Sequence, residues 1–200
     1  MFLWVLNPCG PRDRSGYREA KVTRPPADRR REVNCRNPEY AIKVMNKEVA
    51  GTIAGLLATI PMTAFMVAGH QVLPSAQRYP LPPRQITRKI LVNLGVDKRV
   101  SEKQRLGLSV VNHLAFGAAG GAGYGRASEV LPGPPVVRGV LFGLGVWTSS
   151  YLGWLPASGL LKSATQQPAA RNALMIGAHV VWGGLTGVVT HVLVSRKVRR

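Results

Sequence analysis

Four stretches of this chain carry no Asp, Glu, Lys or Arg: Val49–Gln77, Leu106–Gly125, Gly139–Leu161 and Asn172–Ser195. Each is at least 20 residues long, and all 27 basic and 9 acidic residues of the 200-residue chain fall outside them. A soluble domain interleaves charge with apolar positions, because every surface helix or strand keeps a wet face. A bilayer demands the opposite, since one charge at its centre costs a few kcal/mol. A helix of about 20 residues spans the hydrocarbon core of about 30 Å. No window alternates apolar and polar residues at period two, so strands are the poorer reading. The expectation is an all-α integral membrane bundle of four transmembrane helices, at about residues 49–73, 104–126, 136–156 and 171–195. A soluble bundle of buried helices is the alternative, weakened because such helices rarely lack charge on every face.

Each window also holds glycines four residues apart: Gly51 and Gly55; Gly117, Gly121 and Gly125; Gly139 and Gly143; Gly183 and Gly187. This spacing stacks them on one helix face, where a missing side chain admits a neighbouring backbone. In water, glycine inside a helix costs about 1 kcal/mol relative to alanine, so the pattern reads as helix-packing chemistry. The run Gly121–Gly125 follows no strand and lacks a Lys-Ser/Thr pair, so it is not a phosphate loop.

A net charge of +18 and a pI near 11.2 first suggest a basic nucleic-acid binder. The distribution argues otherwise, because the cations flank the charge-free windows. Residues 1–44 hold ten basic and five acidic residues, both cysteines and no sustained periodicity. They read as a disordered basic segment. Met1–Leu6 is too short for a signal-peptide core, and Cys9 comes too early for a lipoprotein box. Met45-Asn-Lys-Glu48 opens the first window directly. Two expectations follow: translation begins at Met45 and residues 1–44 are not made, or they form a basic tail on the membrane surface. Two cysteines also exclude a disulfide scaffold or a four-cysteine zinc site.

Between the first two windows, residues 78–105 carry eight basic and two acidic residues. Pro83 can begin a helix. Ile86, Ile90 and Leu94 then share a face away from Arg84 and Arg88, and Gly95 can end it. The expectation is a short amphipathic helix in the headgroup region, touching anionic lipid. Ser101-Glu-Lys-Gln104 reads as a capping box opening the second span. Pro156 closes the third span, Pro168 opens the fourth, and Arg196–Arg200 forms a terminal basic cluster.

Four spans place both chain ends on one side. Counted from Met1, that side holds 17 basic residues against 10 opposite, which puts the ends in the cytoplasm. Counted from Met45 it holds 7 against 10, and the preference reverses. The orientation hinges on the start.

All four histidines lie in the windows. His70, His113 and His179 fall at similar depth on three helices, which is how bundles build metal or haem sites. Asn112 and Trp182 can add polar groups there, while His191 stands apart. No histidine pair has metal-ligand spacing within one helix, and no carboxylate joins them. Plain packing is therefore the leading expectation, with no cofactor; a transition metal or haem is the alternative. Trp147, Tyr151 and Trp154 follow at i, i+4, i+7 and read as an interfacial aromatic belt. Ser149-Ser150 lacks a Gly-x-Ser-x-Gly setting. Glu48, Asp97, Glu102 and Glu129 are the only acids after residue 44, so general acid–base machinery is not visible.

The run AGTIAGLLATIPMT at 50–63, then YPLPPRQIT at 79–87 and HLAFGAAGGAGYG at 113–125, resembles the small bacterial YagU-like inner-membrane proteins of unknown function. The likeness covers roughly residues 46–195. It implies a multi-pass protein of the bacterial cytoplasmic membrane and carries over no catalytic residues. The expected function is non-enzymatic, an accessory to transport or envelope stress, with the lipid bilayer and another membrane protein or a second copy as partners and no nucleic acid. The alternatives are a membrane metal- or haem-binding redox protein using His70, His113 and His179, and a soluble nucleic-acid binder.

Overall fold

The computed structural model describes residues 45–195, which are mostly helical with no strand among them. The basic segment 1–44 and the cluster 196–200 lie outside the described residues. Five helices carry the fold: α1 (Lys47–Val72), α2 (Pro82–Asn93), α3 (Glu102–Ala127), α4 (Pro135–Thr148) and α5 (Ala169–Ser195).

Local chemistry sets their ends. The Asn46 side chain accepts from the Glu48 N–H at 2.8 Å and caps α1. Ser101 and Gln104 form a reciprocal capping box at the start of α3. A proline pair, Pro134-Pro135, opens α4 with no side-chain cap. The Pro168 carbonyl accepts from the Arg171 and Asn172 N–H groups to start α5. Gly95, at φ +73°, turns the chain after α2 in a conformation that a Cβ would strain.

α1 and α3 run antiparallel, since Gly51 meets Gly121 and Gly55 meets Gly117. α4 and α5 are also antiparallel, with Gly139 against Gly183 and Pro135 against Gly187. A Cβ at any of these glycines would come closer than 3.0 Å to an atom of the facing helix, so only glycine permits the approach. At Gly117 the obstacle is the Thr59 hydroxyl; at the others it is backbone. α1 also packs antiparallel on α5: Phe65 covers Gly177, Leu174 covers Gly69, and the Trp182 indole N–H donates to the Gly55 carbonyl at 3.1 Å. The three pairings order the helices α3, α1, α5, α4, and the two outer ones, α3 and α4, barely touch.

The helix seams are made of small or polar side chains, Met62, Met66, Met175, Tyr151 and Trp182 help fill the rest of the interior, and many large aliphatic side chains face outward. Ala50, Ala54, Ala58, Thr59 and Thr186 are buried, while Ile53, Leu57, Ile60, Val111, Leu141, Leu185 and Val192 are exposed. The threonines that interrupt the first window are absorbed by their own helix. Thr52, Thr59 and Thr63 each donate to the carbonyl four residues back, at 2.7–2.8 Å. Two helices, α1 and α5, are long and apolar enough to cross a membrane.

Three expectations need correction. The third window is not one α-helix: after Thr148 the backbone widens into a π turn over Ser149–Trp154, with Gly153 at φ −109°, ψ −106°. Pro156 does not close the helix but sits inside a final turn, Leu155–Ala157. In α2 the buried residues are Pro82, Thr87 and Leu91; Leu94 lies past the helix end, exposed to water or lipid.

Candidate functional site

The gap between α3 and α4 encloses a cavity of about 440 Å³. α1 forms its floor with Thr59, Met62 and Met66, and α5 adds His179 and Trp182. α3 supplies Asn112, His113 and Phe116, while the π turn supplies Ser150, Tyr151 and Trp154. α2 roofs one end with Ile86, Thr87 and Ile90, tied to α3 by a hydrogen bond from the Asn112 amide to the Thr87 hydroxyl at 3.2 Å. Among the described residues, no Asp, Glu, Lys or Arg lines this cavity. Its mouth is framed by Phe116 and Trp154, both more than 40% exposed, whose rings meet across the gap with centroids 5.8 Å apart.

The π turn places the aromatic side chains. A helix of constant pitch would set Trp147, Tyr151 and Trp154 on one stripe. The wider turn instead leaves Trp147 stacked on Tyr151 at 6.0 Å, buries Tyr151 and sends Trp154 to the mouth. Such bulges recur at functional sites because they re-aim side chains without breaking the helix.

The three histidines expected at one depth do not gather. His113 and His179 both face the cavity, whereas His70 lies outside it and donates from Nε2 to the Tyr79 carbonyl at 3.1 Å. Among the described residues no three His, Cys, Asp or Glu side chains are grouped so that they could hold a metal ion. In the loop after α1 the Tyr79 carbonyl holds the His70 ring away from the other two histidines. His191 is exposed at the far end of α5.

The hydrogen-bond network assigns both cavity tautomers. His179 Nδ1 lies 2.8 Å from the Met175 carbonyl, which can only accept, so Nδ1 carries the proton. His113 Nδ1 lies 3.1 Å from the Thr63 hydroxyl. That hydroxyl already donates to the Thr59 carbonyl, so it accepts here, and His113 is also protonated on Nδ1.

Sequence reasoning missed Arg171. It stands just before the fourth charge-free window and looks like an ordinary loop cation. In the structure it is fully buried, donating to the carbonyls of Gln77 and Tyr79 at 3.2 and 3.0 Å and of Pro80 at 2.6 Å. Its guanidinium stacks 3.7 Å over the Tyr79 ring. It forms no ion pair among the described residues; three carbonyls and a π face take the place of a carboxylate. This clamp fixes the linker that delivers α2 to the cavity roof. Its one sequence signal was position: an arginine three residues after the helix-opening Pro168.

Fold and cavity together define a class: an all-α protein with two helices of membrane-crossing length and an uncharged chamber between its outer helices. A family model described as Protein of unknown function (DUF1440) matches residues 70–187, more than half of the chain, and the chain belongs to that family. No curated protein and no solved structure matches it.

Proposed function

We propose that this chain is a four-span protein of the bacterial cytoplasmic membrane that holds an uncharged, largely apolar ligand between α3 and α4, as an accessory to transport or to the envelope. The observation that carries the reading is a 440 Å³ cavity without a charged residue in its wall, a size typical of small-molecule sites. Two exposed aromatic rings in contact with each other, Phe116 and Trp154, stand at its outer edge, which favours access from the side of the bundle. Four spans are supported by the outward faces: α3 exposes Leu106, Val110 and Val111, and α4 exposes Val136, Val137 and Leu141, just as α1 and α5 expose theirs. The resemblance to YagU-like inner-membrane proteins points to the same membrane.

Photolabelling tests it. The protein in lipid nanodiscs is irradiated with a diazirine-bearing alkane, and the labelled peptides are identified by mass spectrometry. Label on Met66 or Trp182 as well as on the outer faces of all four long helices is expected. Label confined to the outer faces would end the cavity reading. Absence of label from α3 and α4, or release of the protein by alkaline carbonate, would end the four-span reading.

A further inference from the structure

We infer that the cavity selects a ligand whose head is a hydroxylated aromatic ring, a phenol or hydroquinone on an apolar body, held through hydrogen bonds that the ligand donates. The inference rests on the reading of the cavity as a ligand site and adds its polarity. With both imidazoles protonated on Nδ1, each presents a bare Nε2, which is an acceptor only. Neither Nε2 has a hydrogen-bond partner among the described residues, while both rings line the chamber.

The donors on the same wall are largely engaged inside the protein. The Trp182 indole N–H goes to the Gly55 carbonyl and the Trp154 indole N–H to the Ser150 hydroxyl, at 3.1 and 3.3 Å. The Thr59 hydroxyl also donates to the Gly55 carbonyl, and the Asn112 amide to Thr87. The Thr87 and Ser150 hydroxyls accept in those bonds, so their own protons, the second Asn112 N–H and the Tyr151 hydroxyl stay available to donate. What the wall cannot pair by itself are the two bare imidazole acceptors, which need a donor on the ligand. A ligand that only accepts, such as an ether, an ester or a ketone, leaves both nitrogens unpaired in an apolar chamber, where an unmade hydrogen bond is most costly.

The aromatic preference has a separate basis. Tyr151 stands edge-on to the His179 ring at 5.9 Å, and Trp182 lines the wall beside them. With Phe116 and Trp154 at the mouth, rings border the chamber from the entrance to the imidazoles. A flat ring finds stacking and edge partners along that path that an alkyl chain does not. A carboxylate or ammonium head finds no counter-ion.

Equilibrium dialysis of the full chain in nanodiscs, against empty nanodiscs, compares 4-hexylphenol with its methyl ether, 4-hexylanisole. These probes differ by one donor. The phenol is expected to bind about tenfold tighter, the size of one hydrogen bond. His113→Phe and His179→Phe should each reduce that preference at least threefold, read as the ratio of the two affinities in the same variant. Should a histidine variant fail to fold, Thr63→Val serves instead: it removes the acceptor that fixes the His113 tautomer, and should shrink the preference in a folded protein. Equal binding of phenol and anisole would overturn this inference and leave the apolar-ligand reading standing. Binding of neither would overturn both. 1-Decanol binding as tightly as the phenol would overturn the aromatic part.

Discussion

The seam between α1 and α3 and the seam between α4 and α5 share a register. In the first, Gly51 faces Gly121 and Gly125 faces the Lys47 carbonyl; in the second, Gly139 faces Gly183 and Gly187 faces the Pro135 carbonyl. They part at the next level. Gly55 meets Gly117, but Gly143 meets the backbone of His179. Where the first seam continues with a third small residue on the long helix, the second carries an imidazole whose ring turns into the cavity. One turn further, α4 loosens into its π turn, while α1 stays α-helical through Pro61. Two glycine levels thus bring each helix pair into contact. Both pairs line the chamber beyond that level; at the third level the first seam stays glycine on glycine, while the second puts an imidazole on the wall.

The largest expected effect comes from separating the halves. Arg171 belongs to α5 but grips the linker that follows α1. Arg171→Met leaves three buried carbonyls without their charged donor and should cost about 3 kcal/mol or more. The check is SDS-titrated unfolding of the detergent-solubilised protein, followed by tryptophan fluorescence. A loss under 1 kcal/mol would mean the halves hold together without the clamp.

Next come the seams themselves. Gly121→Val and Gly183→Val occupy matching positions and should each cost about 1–3 kcal/mol, since the obstacle is backbone that cannot swing aside. Gly145→Ala, which meets nothing within 4 Å, should change stability by about 1 kcal/mol at most, toward greater stability. If one valine variant is tolerated and the other is not, the seams are not equivalent.

Smaller still is the difference between the helix starts. Ser101→Ala removes a capping box and should cost about 1 kcal/mol, a loss with no counterpart in α4, whose start is set by proline. The same denaturation assay reads it.

The smallest effect lies at the open end of the first seam, where Lys47 pairs with Glu129 at 2.8 Å and Arg126 with Glu48 at 2.7 Å. The hydrogen bond and charge of Lys47 hold the Glu129 carboxyl below its ordinary value of 4.5. A lowered folded-state value means that the pair's contribution is present above pH 4.5 and lost as pH falls below it. Glu129→Gln should flatten that acid limb of the thermal-stability profile. Full exposure and salt screening keep the change small.

Much of the scaffold was legible because its signals are local. Charge-free windows gave three of the long helices to within about two residues, and Ser101-x-x-Gln104 announced its cap. The four-residue glycine spacing named seam residues because it depends on one helix alone. Which helices those glycines join was not legible, since that is a property of pairs. The candidate site was harder for the same reason. His70 and His113 look alike in sequence, yet a carbonyl of the following loop engages one while a hydroxyl of the neighbouring helix orients the other. The π turn was hidden because Ser149–Trp154 carries no residue that forbids an ordinary α-helix.

The uncharged wall of the cavity has an electrical consequence. Moving one elementary charge through a membrane potential of 100 mV takes about 2.3 kcal/mol of work. A neutral guest entering a chamber without Asp, Glu, Lys or Arg moves no charge through that field. On the proposed reading, its occupancy in sealed vesicles should therefore stay constant when a potential is imposed and follow only the concentration of the guest in the bilayer.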